Sequence, residues 1–113
     1  MGISTHVLDT AKGAPAKGVR ITLERAVGEA QWELVSDSET DIDGRVKTLV
    51  PADFALTPNS YRLRFDTHAY ARKNHFECFF PEVSIVFDVK DSSQHYHVPL
   101  LLSPFGYSTY RGS

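Results

Sequence analysis

The sequence predicts an all-β sandwich, and three observations carry that expectation. From Gly18 to Arg25, Val19, Ile21 and Leu23 alternate with Arg20, Thr22 and Glu24, the period of two that gives a strand one dry face and one wet face. The alternation returns in Tyr61-Arg62-Leu63-Arg64-Phe65 and around Trp32 and Leu34, and a repeated pattern of this kind is an antiparallel-sheet signature. Turn-forming clusters separate the strands at intervals of roughly ten to twenty residues, as a sandwich requires. They are Lys12-Gly13-Ala14-Pro15, Val27-Gly28, Asp41-Ile42-Asp43-Gly44, Pro58-Asn59, Asp91-Ser92-Ser93 and Ser103-Pro104-Phe105-Gly106.

Taken in order, the elements begin with Ser4-Thr5-His6-Val7-Leu8-Asp9, where Val7 faces opposite to His6 and Leu8. Val83 to Val89 reads as a more continuously apolar core strand. Asp66 to Asn74 carries helix formers and no alternation, which predicts one short helix on the sandwich surface. Asp66 or Thr67 would cap its start, and Arg72 and Lys73 suit its C-terminal end. In His95-Tyr96-His97-Val98-Pro99-Leu100-Leu101-Leu102 the core face is Tyr96, Val98, Leu100 and Leu102, leaving His95, His97, Pro99 and Leu101 on the other. Pro99 cannot donate to a ladder, so it argues for edge or irregular pairing at that point.

At 113 residues, 42% hydrophobic and 23% charged, the chain has material for a single core, so residues 1–113 are expected to form one domain. Twelve basic against fourteen acidic residues leave a formal charge of -2, which offers no global attraction to nucleic acid or to an anionic membrane; neither is expected as a partner. The start Met1-Gly2-Ile3-Ser4-Thr5-His6 lacks the basic and apolar runs of a secretory signal, and Arg111-Gly112-Ser113 is not the usual peroxisomal tripeptide, so a cytoplasmic protein is expected. Cys78 is the single cysteine; it permits no disulfide framework and is expected in the core.

Histidines dominate the chemistry. His95 and His97, two apart on a strand, point the same way and could ligate zinc, supply an acid and a base near neutral pH, or simply be half-exposed strand residues. His6 is open to the same readings. Asp41-Ile42-Asp43-Gly44 lacks the further acidic ligands of a calcium loop and reads as a turn. Arg45 directly after it is either a solvated turn residue or a fork of donors for a carbonyl or oxyanion. With no Gly-rich phosphate loop and no nucleophile elbow, covalent catalysis is not expected; an enzyme here would use histidine-activated water.

Five segments together resemble a known family: Ser4-Thr5-His6-Val7-Leu8-Asp9, Gly13-Ala14-Pro15-Ala16, Thr40-Asp41-Ile42-Asp43-Gly44-Arg45, His95 to Pro104, and Tyr107-Ser108-Thr109-Tyr110-Arg111-Gly112-Ser113. The chain is similar, along its whole length and in order, to the 5-hydroxyisourate hydrolases, transthyretin-like proteins of purine catabolism. The closing Tyr-Arg-Gly-Ser is the most specific piece, because it separates the hydrolases from transthyretin, the thyroid-hormone carrier of the same fold. The resemblance implies a transthyretin-like two-sheet sandwich of about eight strands with one short helix. It also implies a homotetramer, a dimer of dimers, whose functional channels run between dimers. His6, Arg45 and His97 would be catalytic; Pro99, Leu101, Ser108, Tyr110, Arg111, Gly112 and Ser113 would line the substrate pocket.

The reaction so implied is hydrolytic opening of a cyclic amide in 5-hydroxyisourate, during urate degradation, to 2-oxo-4-hydroxy-4-carboxy-5-ureidoimidazoline. One histidine of the pair His6 and His97 would take a proton from water and the other would protonate or orient the leaving ring nitrogen, with His97 the favoured base and Arg45 the oxyanion holder, and no cofactor and no metal required. Tyr110 would narrow the channel, and Ser113 with the chain carboxylate would close the pocket or bind the substrate's polar edge, unless Arg111 pairs with that carboxylate instead. Set against the hormone carrier, His6 stands where the carrier has lysine, His97 and Tyr110 where it has small residues, and Arg45 where it has an acid. A slim planar purine derivative suits such a pocket better than an iodinated hormone. A non-catalytic small-ligand carrier of the transthyretin type is the alternative.

Overall fold

The computed structural model describes residues 2–113. The chain runs through β1 (Gly2–Asp9), β2 (Ala14–Pro15), β3 (Arg20–Gly28), β4 (Gln31–Glu39), β5 (Arg45–Val46), β6 (Asn59–Phe65), α1 (Thr67–Lys73), β7 (Val83–Val89), β8 (His95–Ser103) and β9 (Gly106–Thr109). One sheet has the order β4-β3-β6-β7 and is antiparallel throughout. The other has the order β2-β1-β8-β9, with β5 also paired to β1. The alternating residues do what their period requires: Ile21, Leu23, Leu63 and Phe65 of the first sheet meet Ile3, Val7, Leu100 and Leu102 of the second in one buried core. Each such side chain removes enough apolar area from water to contribute about 1.5–3 kcal/mol.

The second sheet is not antiparallel throughout. β1 and β8 lie side by side in parallel, from Gly2↔His95 to Asp9↔Leu102. Alternation predicts strands but not their direction, and this pairing joins parts of the chain about as far apart in sequence as the protein allows. The break expected at Pro99 has a specific form. β8 is an interior strand, and Pro99 falls between the last β9 pair, Leu100↔Thr109, and an isolated bridge, His97↔Gly112. The missing N–H thus sits where the ladder is interrupted.

Three expectations change. β7 is an edge strand in which Ser84, Val86 and Asp88 are exposed; only the alternate residues face the core, Val83, Ile85 and Val89 buried in it and Phe87 packed against it half-buried, so it is not continuously buried. Leu34 is 62% exposed, because the β3–β4 ladder slips one residue between Leu23↔Ser36 and Glu24↔Leu34 and a slip of one turns a side chain to the other face. Cys78 is half-buried at the margin of the core, its Sγ 3.2 Å from the Phe80 carbonyl oxygen. The helix forms as expected: Asp66 accepts the Ala69 N–H at 3.0 Å, Arg72 and Lys73 occupy the last turn, and Thr67, Tyr70 and Ala71 face inward. Among the described residues no helix is long and apolar enough to cross a membrane.

Candidate active site

Residues directly opposite one another in a sheet point to the same face. β5 meets β1 at His6↔Arg45, and β1 meets β8 at Ser4↔His97, His6↔Pro99 and Leu8↔Leu101. β8 meets β9 at Leu101↔Ser108. The registers therefore collect Ser4, His6, Arg45, His97, Pro99, Leu101 and Ser108 on the outward face of one sheet, while Val7, Val98 and Leu100 fill its inner face.

Arg45 owes its place to the turn before it. Asp41 Oδ1 accepts the N–H groups of Asp43 and Arg45, both at 2.9 Å, and the Arg45 bond in particular holds the Asp41 carboxyl below its ordinary range. Gly44 has φ +74°, and a Cβ there would lie 2.5 Å from the Val7 carbonyl oxygen. Only glycine permits the turn to close so tightly on β1 and deliver Arg45 beside His6.

An open cleft of about 520 Å³ follows, lined by Ser4, Asp43, Arg45, Lys47, His95, His97 and Ser113. His6 borders it. Its charge, with those of Arg45 and His95, acts on His97, and burial acts first; together they hold the His97 imidazole below the ordinary histidine value of 6.5. His97 is consequently neutral, able to accept a proton, at the pH of most cells. Ser4 Oγ lies 2.7 Å from His97 Nδ1 and 2.7 Å from His95 Nε2, pinning both rings through one hydroxyl. Behind the ring, Gly112 donates its N–H to the His97 carbonyl oxygen at 2.8 Å, and a Cβ on Gly112 would stand 2.5 Å from His97 Cδ2.

The remaining expected residues divide. Ser113 and Gly112 reach the cleft or the ring beside it, Leu101 is half-buried and Ser108 exposed on the same sheet face, and Pro99 is buried. Tyr110 and Arg111 lie elsewhere, at a groove between the sheet edges. There the Arg111 guanidinium stacks 4.6 Å above the Tyr96 ring and donates to Gln94 Oε1 at 2.9 Å. Ser4, Asp43 and Lys47 are cleft residues that reading the sequence missed. For Ser4 the signal was present: it stands two residues before His6 in an alternating strand and so shares its face. Among the described residues no group of three or more His, Cys, Asp or Glu is arranged to hold a metal ion. Chemically, the cleft offers a neutral imidazole, a second imidazole, a guanidinium and access to water.

A family model for the HIUase/transthyretin family matches residues 3–112. A probable 5-hydroxyisourate hydrolase of Caenorhabditis elegans is 48% identical over 111 residues, spanning 98% of this chain and 81% of the worm protein. The solved 5-hydroxyisourate hydrolase of Klebsiella pneumoniae superposes with a TM-score of 0.85 at 34% identity, over 100% of both chains. Sea bream transthyretin in complex with thyroxine superposes with a TM-score of 0.91 at 29% identity, over 99% of this chain and 95% of the other. The backbone matches hydrolase and hormone binder alike, so side chains have to separate them.

Proposed function

Since this chain belongs to the HIUase/transthyretin family and is a hydrolase, we propose that it opens the ring of 5-hydroxyisourate with water activated at His97. The observation that carries the reading is the convergence of His97, His6 and Arg45 on one sheet face, set by the registers Ser4↔His97 and His6↔Arg45.

His97 takes a proton from water, the water oxygen bonds to a ring carbonyl carbon, and the carbonyl electrons move onto oxygen. Arg45 holds that oxyanion. When the carbonyl re-forms, the ring C–N bond breaks and the departing nitrogen takes a proton from protonated His6; the new carboxylic acid then releases its proton to water and leaves as the carboxylate. Acid–base help of this kind supplies about 10²–10⁴-fold and one oxyanion donor about 2.7–4 kcal/mol. The low-lying proton affinity of His97 supports its role as the base, because the neutral form predominates at neutral pH.

The cleft of a single chain is open and Arg45 is exposed. A homotetramer, in which a second copy roofs the cleft and excludes bulk water, completes the reading; light scattering on the purified protein tests it, with the cytoplasm as its expected setting. Within that assembly Ser113, which lines the cleft, meets the polar edge of the substrate, whereas Tyr110 stands in the groove between the sheet edges and takes no part in it. The deciding experiment follows the ultraviolet absorbance of freshly generated 5-hydroxyisourate, corrected for its spontaneous decay. Catalysed decay supports the reading. Tight thyroxine binding with uncatalysed decay would establish the carrier function instead.

A further inference from the structure

We propose that Ser4 and His95 form a proton relay behind His97, so that the proton His97 gains from water at Nε2 is matched by one leaving its Nδ1, through the Ser4 hydroxyl, to His95 Nε2. The proposal rests on the hydrolase reading above and assigns work to two residues that reading leaves idle.

The hydroxyl stands 2.7 Å from each of the two ring nitrogens. A serine has one hydrogen to donate, so its two partners cannot both be acceptors. If Ser4 donates to His95, His97 must present Nδ1–H to the serine oxygen, and its Nε2 is then the bare lone pair that a general base needs. If Ser4 donates to His97, the Nε2 position carries the hydrogen and cannot accept one. The serine therefore couples the two tautomers, and only the first arrangement makes His97 a base.

The relay balances. Water loses a proton to His97 Nε2; His97 Nδ1–H passes to Ser4 Oγ; the former Ser4 hydrogen passes to His95 Nε2. Ser4 ends unchanged, His97 ends neutral with its hydrogen on Nε2, and the positive charge rests on His95. The groups facing His97 favour that direction. His6 on β1, Arg45 on β5, and Lys47 beside it are potential or fixed cations, and Asp43 is the one carboxylate side chain lining the cleft. His97 is half-buried among them, whereas His95 is exposed. A proton moved from His97 to His95 comes to rest on the more solvent-exposed of the two rings, where water screens its charge. Ser4 itself is 8% exposed, and a hydroxyl is costly to bury there without such partners.

His95→Gln is the discriminating variant, because glutamine can still hydrogen-bond Ser4 but cannot carry a proton at neutral pH. Expected is a fall in kcat of about tenfold to a hundredfold with little change in KM, matched by Ser4→Ala and not deepened in the double variant. Unchanged kcat and an unchanged pH–rate profile in His95→Gln would overturn the relay. Nitrogen-15 NMR of the substrate-free tetramer or monomer gives a readout independent of the reaction: His97 should be protonated at Nδ1 in the parent protein and lose that preference in Ser4→Ala. Protonation at Nε2 in the parent would also overturn it. Failure of the parent to hydrolyse 5-hydroxyisourate would instead remove the substrate assignment, leaving the tautomer result standing.

Discussion

The outward faces of the two sheets use the same residue types to opposite ends. On β3, β6 and their neighbours, arginines are matched to carboxylates: Arg62 with Glu24 at 2.6 Å, and Arg64 with both Glu24 and Glu82. Arg62 also lies 4.6 Å over the Trp32 ring. On the other sheet, Arg45 belongs to none of the ion pairs among the described residues, and its register partner is a histidine. A guanidinium whose donors are taken up by neighbours holds strands together; one left beside two imidazoles is available to a substrate. The contrast teaches that arginine count says little about a site, whereas the state of pairing says much.

The largest effect is expected of His97→Ala, which should lower kcat by about 10²–10⁴-fold while leaving the fold and its melting intact. Normal turnover of the substituted protein would place the chemistry elsewhere. Arg45→Ala should cost about 2.7–4 kcal/mol of transition-state stabilisation in the same assay. It should also shift the acid limb of the rate profile. The limb marks protonation of His97, whose affinity for a proton is held down in part by Arg45, so removing that charge moves the limb to higher pH. A limb that stays still would deny that the two groups sense each other.

Gly112→Ala sharpens the comparison without touching a polar group. The added methyl collides with the His97 ring, and a fall in kcat of about tenfold is expected with the sandwich still folded, as judged by circular dichroism. Arg62→Ala is the mirror of Arg45→Ala: turnover should be unchanged and denaturation should show a loss of about 0.2–1 kcal/mol, the range of partly exposed pairs. The smallest effect is expected at Tyr70, whose hydroxyl donates to the buried Asp9 carboxylate at 2.8 Å. Burial, and then Asp9, raise the Tyr70 pKa. Above about pH 10 the unfolded chain ionises this tyrosine while the folded chain does not, so the stability it contributes is present below that pH and falls as pH rises. Tyr70→Phe should flatten that alkaline decline in a series of urea melts.

What could be read in advance follows the physics of each signal. Ile21 against Thr22 and Leu63 against Arg64 are local contrasts, so β3 and β6 were legible, as were the Asp66 cap and the inner face of β8. His6, Arg45 and His97 were legible through resemblance, and as a cluster only there, because no local pattern says that β1 lies parallel to β8. Leu34 and Val86 misled because hydrophobicity marks a tendency to be buried, while a bulge or an edge position decides the outcome. Ser4 escaped notice for a related reason: a small hydroxyl has no periodic signature, and its significance arises only when two rings 91 and 93 residues away are laid over it. Gly112 was legible as part of a motif, but its mechanical role depends on a ring from another strand.

The parallel seam between β1 and β8 makes turnover a sensor of the whole fold. Loops this long close late, after local hairpins such as β3–β4 are formed. A nascent or partly refolded chain therefore holds its local hairpins before it holds any reactive geometry, and fraying of either seam strand silences the protein while much of its spectroscopic signature of β-structure persists. Recovery of rate after dilution from denaturant should be the last event observed.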